Sequence, residues 1–378
     1  MTTPRENMLK IFRHETPAWL PVTGHCDPYN QPNREGMDPA LAAALGEVHW
    51  GDTSTVTFSR YLGLDIMDWF GMPAMRITRR NVVAERTTEG DVITIVWHTP
   101  KGDLREVIQI CREANGAVSS NMTEHLVKGP EDLPAFVAIF EDEVIELDAE
   151  GVRRTRERRE LIGDGGLILG AMDGTPLGMM FRIYSGVAAL AYLWVDAPAA
   201  LHDCFAVMEA NYLQRLKIGV QSDIDVVVGV DDTSTTAISP AMFEACNLDL
   251  TDARVDAAHA AGKLYFHHSC GLIRDLLPLY RRTKMDAVHA FTEPPLGNAT
   301  VAQGRKALGD RITIMAGVNQ LAGPMGDRAA VRESIRQMIR EGEPWDHFIL
   351  GLAAYPNRTM EETRFVVECC RECGGNVP

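Results

Sequence analysis

His268 and Cys270 stand two residues apart, just after a short apolar run, Leu264 to Phe266. In an extended strand, residues i and i+2 face the same side. An imidazole nitrogen and a thiolate placed that way can bind one soft or borderline cation. Glu293 follows the next apolar run, Asp286 to Phe291. Neighbouring strands of a parallel sheet lie about 4.8 Å apart, so this carboxylate can complete a nitrogen, sulfur and oxygen donor set. Zinc (Zn2+) accepts all three donor types, and catalytic zinc usually keeps three protein ligands and one open position. A bare HxC arises often by chance. Its plain alternative is a buried free Cys beside a hydrogen-bonded His, with Glu293 a loop carboxylate before Pro294. Two such pieces at successive strand ends favour the metal set.

Other residues converge on the same ends. Asp231 and Asp232 follow the run Ile224–Val230. Adjacent carboxylates there can accept substrate donors or serve as acid and base; the alternative is an N-cap for the next helix. The stretch Ala171–Met180 is rich in Met and Gly. Met172 and Met180 could shape an apolar pocket, although Met clusters more often pack a core. Tyr184, Asn319, His25 and Cys26 fall at similar positions and join the candidates for substrate binding. Cys369, Cys370 and Cys373 form CCxxC and read as free thiols, because no further ligands accompany them.

The elements that must position these residues are short apolar strands alternating with helices. Strand candidates are Trp19–Thr23, Ala135–Phe140, Gly166–Gly170, Ile224–Val230, Lys263–Phe266, Ala287–Phe291, Ile312–Ala316 and Phe348–Leu352. Helix-length segments between them include Pro198–Lys217, Pro240–Ala261, Val301–Leu308, Arg328–Glu341 and Met360–Cys373. Apolar strands alternating with helices imply a parallel sheet covered by helices, and eight units point to a single (β/α)8 TIM barrel of class α/β spanning residues 1–378. An amphipathic helix at residues 4–14 forms an N-terminal extension. Residues 75–112 alternate and are rich in Val, Ile and Thr, with turns at Gly90-Asp91 and Lys101-Gly102; they predict an inserted antiparallel hairpin or meander. An open doubly wound sheet is the other possibility, but neither GxGxxG nor GxxxxGK[ST] is present.

Composition narrows the function classes. The 378 residues carry a formal net charge of −15, which argues against nucleic-acid or anionic-membrane partners. The basic run Arg153–Arg159 is interleaved with Glu157 and reads as a solvated helix face. Neither a signal-peptide core nor an apolar run of about 20 residues is seen. The eight Cys are scattered, as in a reduced cytoplasmic protein.

With these residues in view, the chain resembles the uroporphyrinogen decarboxylase superfamily. The likeness is carried by RENMLKIFRHETP, by YLGLDIMDW ahead of a β excursion containing TPKGDL, and by Ile238–Tyr280. It implies one (β/α)8 barrel. The true decarboxylases carry an Arg-rich segment after the first strand that holds substrate carboxylates. Here that place reads GHCDPYNQPN, Gly24 to Asn33, which lacks the cationic clamp. A second branch of zinc-dependent methyltransferases carries an HxC at the fifth strand end, an acidic ligand downstream and a Cys near the eighth strand. His268, Cys270 and Glu293 match three of those positions. The fourth departs: Gly351–Thr359 reads GLAAYPNRT. The resemblance therefore implies zinc held by three side chains, or a fourth ligand drawn from Cys26, His25 or Asp232. It further implies methyl transfer between a small methylated substrate, such as an aromatic methyl ether, and a corrinoid (cobalamin) on a separate carrier protein. A DxHxxG-type corrinoid motif is absent from the chain. The alternative is a metal-independent decarboxylase of a small carboxylic acid. Either would be a cytoplasmic enzyme, and a homodimer is compatible with both.

Overall fold

The computed structural model describes residues 1–24, 36–47, 52–69, 71, 74–112, 118–318, 327–353 and 359–374. In chain order its strands are β1 (Val22–Gly24), β2 (Ile66–Asp68), β3 (Met75–Arg79), β4 (Val83–Glu89), β5 (Val92–Thr99), β6 (Gly102–Arg112), β7 (Val118–Glu124), β8 (Glu143–Leu147), β9 (Gly166–Asp173), β10 (Val226–Val230), β11 (Leu264–His268), β12 (Ala287–Thr292), β13 (Thr313–Val318) and β14 (Phe348–Leu352). Eight of them form one parallel sheet in the order β1-β14-β13-β12-β11-β10-β9-β2. Asp65 brings the two ends of that sheet together. Its backbone N–H donates to Val22 O at 3.0 Å, and its carboxylate accepts from Val22 N at 3.0 Å. The result is the α/β barrel that the strand pattern predicts.

Period-two alternation sorts each strand into two faces. Met67, Leu167, Leu169, Val226, Val228, Phe266, Ala287, Met315 and Ile349 form one buried cluster, the barrel interior. Their neighbours Ile168, Val227, Tyr265, Val288, Ile314 and Leu350 join the larger cluster shared with the surrounding helices. Each fully buried side chain of this size contributes about 1.5–3 kcal/mol. The first helix, α1 (Pro4–Ile11), is capped by Thr3 and closes the N-terminal end of the barrel. Its Met8 and Ile11 enter the interior cluster, and Arg5 binds Asp225, just ahead of β10, through two hydrogen bonds of 2.8 and 2.5 Å. The opposite end is left for chemistry.

The second barrel strand differs from expectation. It is β2, whereas Ala135–Phe140 lies within a helix, Leu133–Glu141. A short run apolar on every side suits a buried strand or a buried helix equally. Pro134 sits in the first helical turn, and Phe136 and Phe140 meet one turn apart at 5.2 Å between rings. The inserted β region is real and larger than predicted. β4-β5-β6-β7 form an antiparallel meander, and β3 pairs instead with β8. The turns fall as predicted, with left-handed φ at Gly90 (61°) and at Gly102 (133°). The basic helix Ala149–Ile162 is solvated along most of its length, but Arg158 is 7% exposed and pairs with Asp68 at the end of β2.

Candidate metal centre at the barrel mouth

β11 ends in two histidines that alternation sends to opposite sides. Its register pairs His268 with Val230 of β10 and with His289 of β12. Phe266 lies in the interior cluster, so His268, two residues on, turns into the mouth. His267 turns outward among the helices and is fully buried.

In the mouth, three predicted residues converge. Asp232 Oδ1 lies 3.3 Å from His268 Nε2 and accepts a hydrogen bond from Cys270 Sγ, also at 3.3 Å. All three donor atoms fall within 4.8 Å of one another. Backbone geometry holds them there. The N–H groups of Asp231 and Asp232 both donate to His268 O, at 3.2 and 3.1 Å. Asp232 adopts φ 50°, a left-handed turn that Asp tolerates better than most residues. Beyond Cys270 the chain turns at Gly271, φ 87°, where a Cβ would meet Ser234 Oγ at 3.0 Å. Arg182 Nε approaches Asp232 Oδ2 at 3.3 Å. One carboxylate oxygen is thus engaged by Arg182 while the other faces His268 and Cys270.

Charge follows geometry. Burial opposes ionisation of Asp232, but the hydrogen bond and charge of His268, with the charge of Arg182, outweigh it and lower its pKa. Cys270 is exposed at its surface, yet the surrounding protein and then the Asp232 carboxylate push its thiol up to about 12. A thiol so placed ionises only when a cation compensates it. The donor set fits zinc. Ligands at about 2.0–2.3 Å from a tetrahedral ion stand roughly 3.3–3.8 Å apart; the 3.3 Å between His268 and Asp232 falls in that range, and the 3.3 Å between Cys270 and Asp232 needs only a few tenths of an ångström of opening.

Glu293 is held elsewhere. Its Oε1 accepts from Val301 N at 2.7 Å, at the start of the helix Val301–Leu308, and its carboxyl is pushed up by burial. Asp232, not Glu293, is the carboxylate gathered with His268 and Cys270 among the described residues. The spacing rule brought Glu293 to the correct strand end; the helix N-terminus then claimed its side chain.

Asp231 is no surface acid or base. It is fully buried, accepts from Thr175 Oγ1 at 2.7 Å, and lies 3.3 Å from His267 Nδ1. Burial opposes its charge, but His267, Arg254 and Thr175 hold its pKa well below the usual carboxylate range. His267 Nε2 in turn meets Thr233 Oγ1 at 3.1 Å, and Thr233 meets Tyr280 Oη at 2.6 Å. Met172 and Met180 belong to the cluster between strands and helices. Tyr184 packs on Phe136 at 4.9 Å and Phe140 at 6.0 Å, and burial pushes its hydroxyl up to about 12. These three side chains pack in the outer layer: alternation places Met172 outward, and the helical turns of 176–184 bury Met180 and half-bury Tyr184 against the same cluster. His25, Cys26 and Asn319 lie outside the described residues. Cys369 and Cys370 are buried, and neither is in a disulfide.

Three residues of the mouth were not singled out from sequence. His289 Nδ1 lies 2.9 Å from His268 Nδ1, and the two rings lie edge to edge, with centroids 5.1 Å apart and planes inclined by 25°. Trp69 meets both rings edge-on, at 5.6 and 4.6 Å. Arg182 is the third. A usable signal existed for His289: two residues past inward Ala287, it matches the position of His268 on β11. Opposite, Gly317 and Gly351 stand two residues past interior Met315 and Ile349, the positions that match His289 and His268 on β12 and β11.

Residues 118–373 match the family described as Uroporphyrinogen decarboxylase (URO-D). No curated protein matches the chain by sequence. Among solved structures, a methyltransferase from Methanosarcina mazei is similar at 15% identity and TM-score 0.62, covering 98% of this chain and 99% of that one. A B12-independent methionine synthase from Shewanella sp. W3-18-1, in complex with selenomethionine, is similar at 9% identity and TM-score 0.50, covering 94% and 97%. At these identities the likeness is one of fold.

Proposed function

The chain belongs to the uroporphyrinogen decarboxylase family, and from that premise we propose that it is a zinc-dependent methyltransferase acting between a small methylated substrate and a corrinoid on a separate carrier protein. The observation that carries this reading is the Asp232–His268–Cys270 cluster at the open end of the barrel. A methyltransferase among the similar folds adds support. Asp232, His268 and Cys270 would hold the metal. When bound, zinc supplies Lewis acidity towards an oxygen of the substrate.

The chain's own residues do the rest. Arg182 holds Asp232 Oδ2 and so orients Oδ1 into the cluster. The substrate would be a small methylated compound such as an aromatic methyl ether, bound at the mouth beside the cluster. The oxygen–methyl bond of the substrate would break as a reduced corrinoid on the carrier, when bound, supplied the electron pair for the new bond to carbon, and the oxygen would leave as an alcohol or phenol after gaining a proton. The test uses purified protein, zinc, chemically reduced cobalamin and a methoxylated phenol. Zinc-dependent appearance of the methylcobalamin spectrum is expected, with loss in Cys270→Ser. Metal-independent release of CO2 from a small acid would instead support a decarboxylase.

A further inference from the structure

We propose that His289 is a positioning residue for His268: with the metal bound, His289 Nδ1 accepts the His268 Nδ1 hydrogen and leaves the Nε2 lone pair for the ion in place of its contact with Asp232. This rests on the metal reading above. The two Nδ1 atoms are 2.9 Å apart, so one carries the shared hydrogen and the other accepts it. A neutral His268 that ligates through Nε2 must carry its hydrogen on Nδ1, and His289 Nδ1 is then the acceptor. Ligating histidines ordinarily give that hydrogen to a carboxylate, a carbonyl or water. Here the partner is a second imidazole.

The backbone is shaped to keep His289 in that place. β12 changes register between His289 and Phe291, around Ala290 at φ 63°. Without the bulge, residues 289 and 291 would face the same side. With it, His289 stays opposite interior Met315 while Phe291 turns outward, opposite Ala316 in the helix-side cluster and against Gly304. A strained, non-glycine left-handed residue is thus placed directly after His289. Trp69 contacts both rings edge-on and limits their rotation.

The test measures zinc affinity of the full chain by competition with a chromophoric chelator, zinc alone being the probe. His289→Phe keeps the ring volume but removes the acceptor, and a 10- to 100-fold loss of affinity is expected. His289→Asn returns an acceptor near the Nδ1 position and should recover to within about threefold of wild type. Melting of the metal-free proteins checks that each is folded; His289→Ala replaces the Phe variant if that one is insoluble. Wild-type affinity in folded His289→Phe overturns the inference alone, as does an Asn variant no better than Phe. Wild-type protein that takes up no zinc overturns the metal reading, and this inference with it.

Discussion

Asp231–His267 and Asp232–His268 are the same pair written twice, one residue apart. In each, an imidazole nitrogen lies 3.3 Å from a carboxylate oxygen. Their surroundings differ completely. The first pair has no exposed side-chain surface, whereas His268 and Asp232 keep 21% and 27%. Alternation along β11 separates the histidines, and the left-handed turn at Asp232 just past β10 separates the carboxylates. The outward pair links β10 and β11 to Thr175, Thr233 and Tyr280 within the helix layer. The inward pair adds Cys270 and faces the open end of the barrel. Residue type and distance therefore do not distinguish a structural ion pair from a candidate ligand set; the side of the sheet does.

Substitution should separate the two pairs most strongly in stability. Asp231→Ala leaves His267 and the Thr175 donors without their buried partner and is expected to lower folding stability by about 3–5 kcal/mol. Asp232→Ala, at the half-open mouth, should lower that of the metal-free protein by about 1 kcal/mol or less. Urea denaturation compares them, and equal losses would break the contrast. The next effect is on metal. His268→Ala or Cys270→Ser should reduce zinc affinity at least 100-fold while leaving the metal-free melt near wild type, since removing a direct ligand exceeds the 10- to 100-fold effect of its outer partners. Glu293→Ala provides the control: loss of a helix-start acceptor, about 1 kcal/mol of stability, with zinc retained.

The sequence made much of this visible, and its failures share a cause. Seven of the eight barrel strands lie at or beside predicted apolar runs, because fully buried parallel strands must be apolar. Ala135–Phe140 misled because all-round apolarity does not specify a period. HxC and its strand end were legible from spacing. Which acid joins them was not, since Asp232 enters through a left-handed turn and Glu293 leaves through a helix start. Asp231 could not be told from Asp232 without knowing where β10 ends.

Two smaller effects sharpen the comparison. Asp231 has a lowered folded pKa, so its stabilisation is present above the unfolded value of about 3.9 and is lost as pH falls through the lower folded value. The stability gap between wild type and Asp231→Asn should accordingly be full at neutral pH and close on acidification below about pH 4; a gap independent of pH would deny the charge a role. In metal-free protein, the Cys270 thiol held near 12 should alkylate slowly at pH 8. Asp232→Asn removes the neighbouring negative charge and should speed that reaction several-fold, which peptide mass spectrometry can follow. An unchanged rate would mean that Asp232 does not act on Cys270.

The central claim is that the inward pair and Cys270 together form a metal centre. Zinc-edge X-ray absorption of the zinc-loaded chain reads it directly. The account predicts a low-coordinate shell containing sulfur at about 2.3 Å with nitrogen and oxygen at about 2.0–2.2 Å, and loss of the sulfur component in Cys270→Ser. A shell without sulfur in the wild type, or one unaltered by Cys270→Ser, would contradict it.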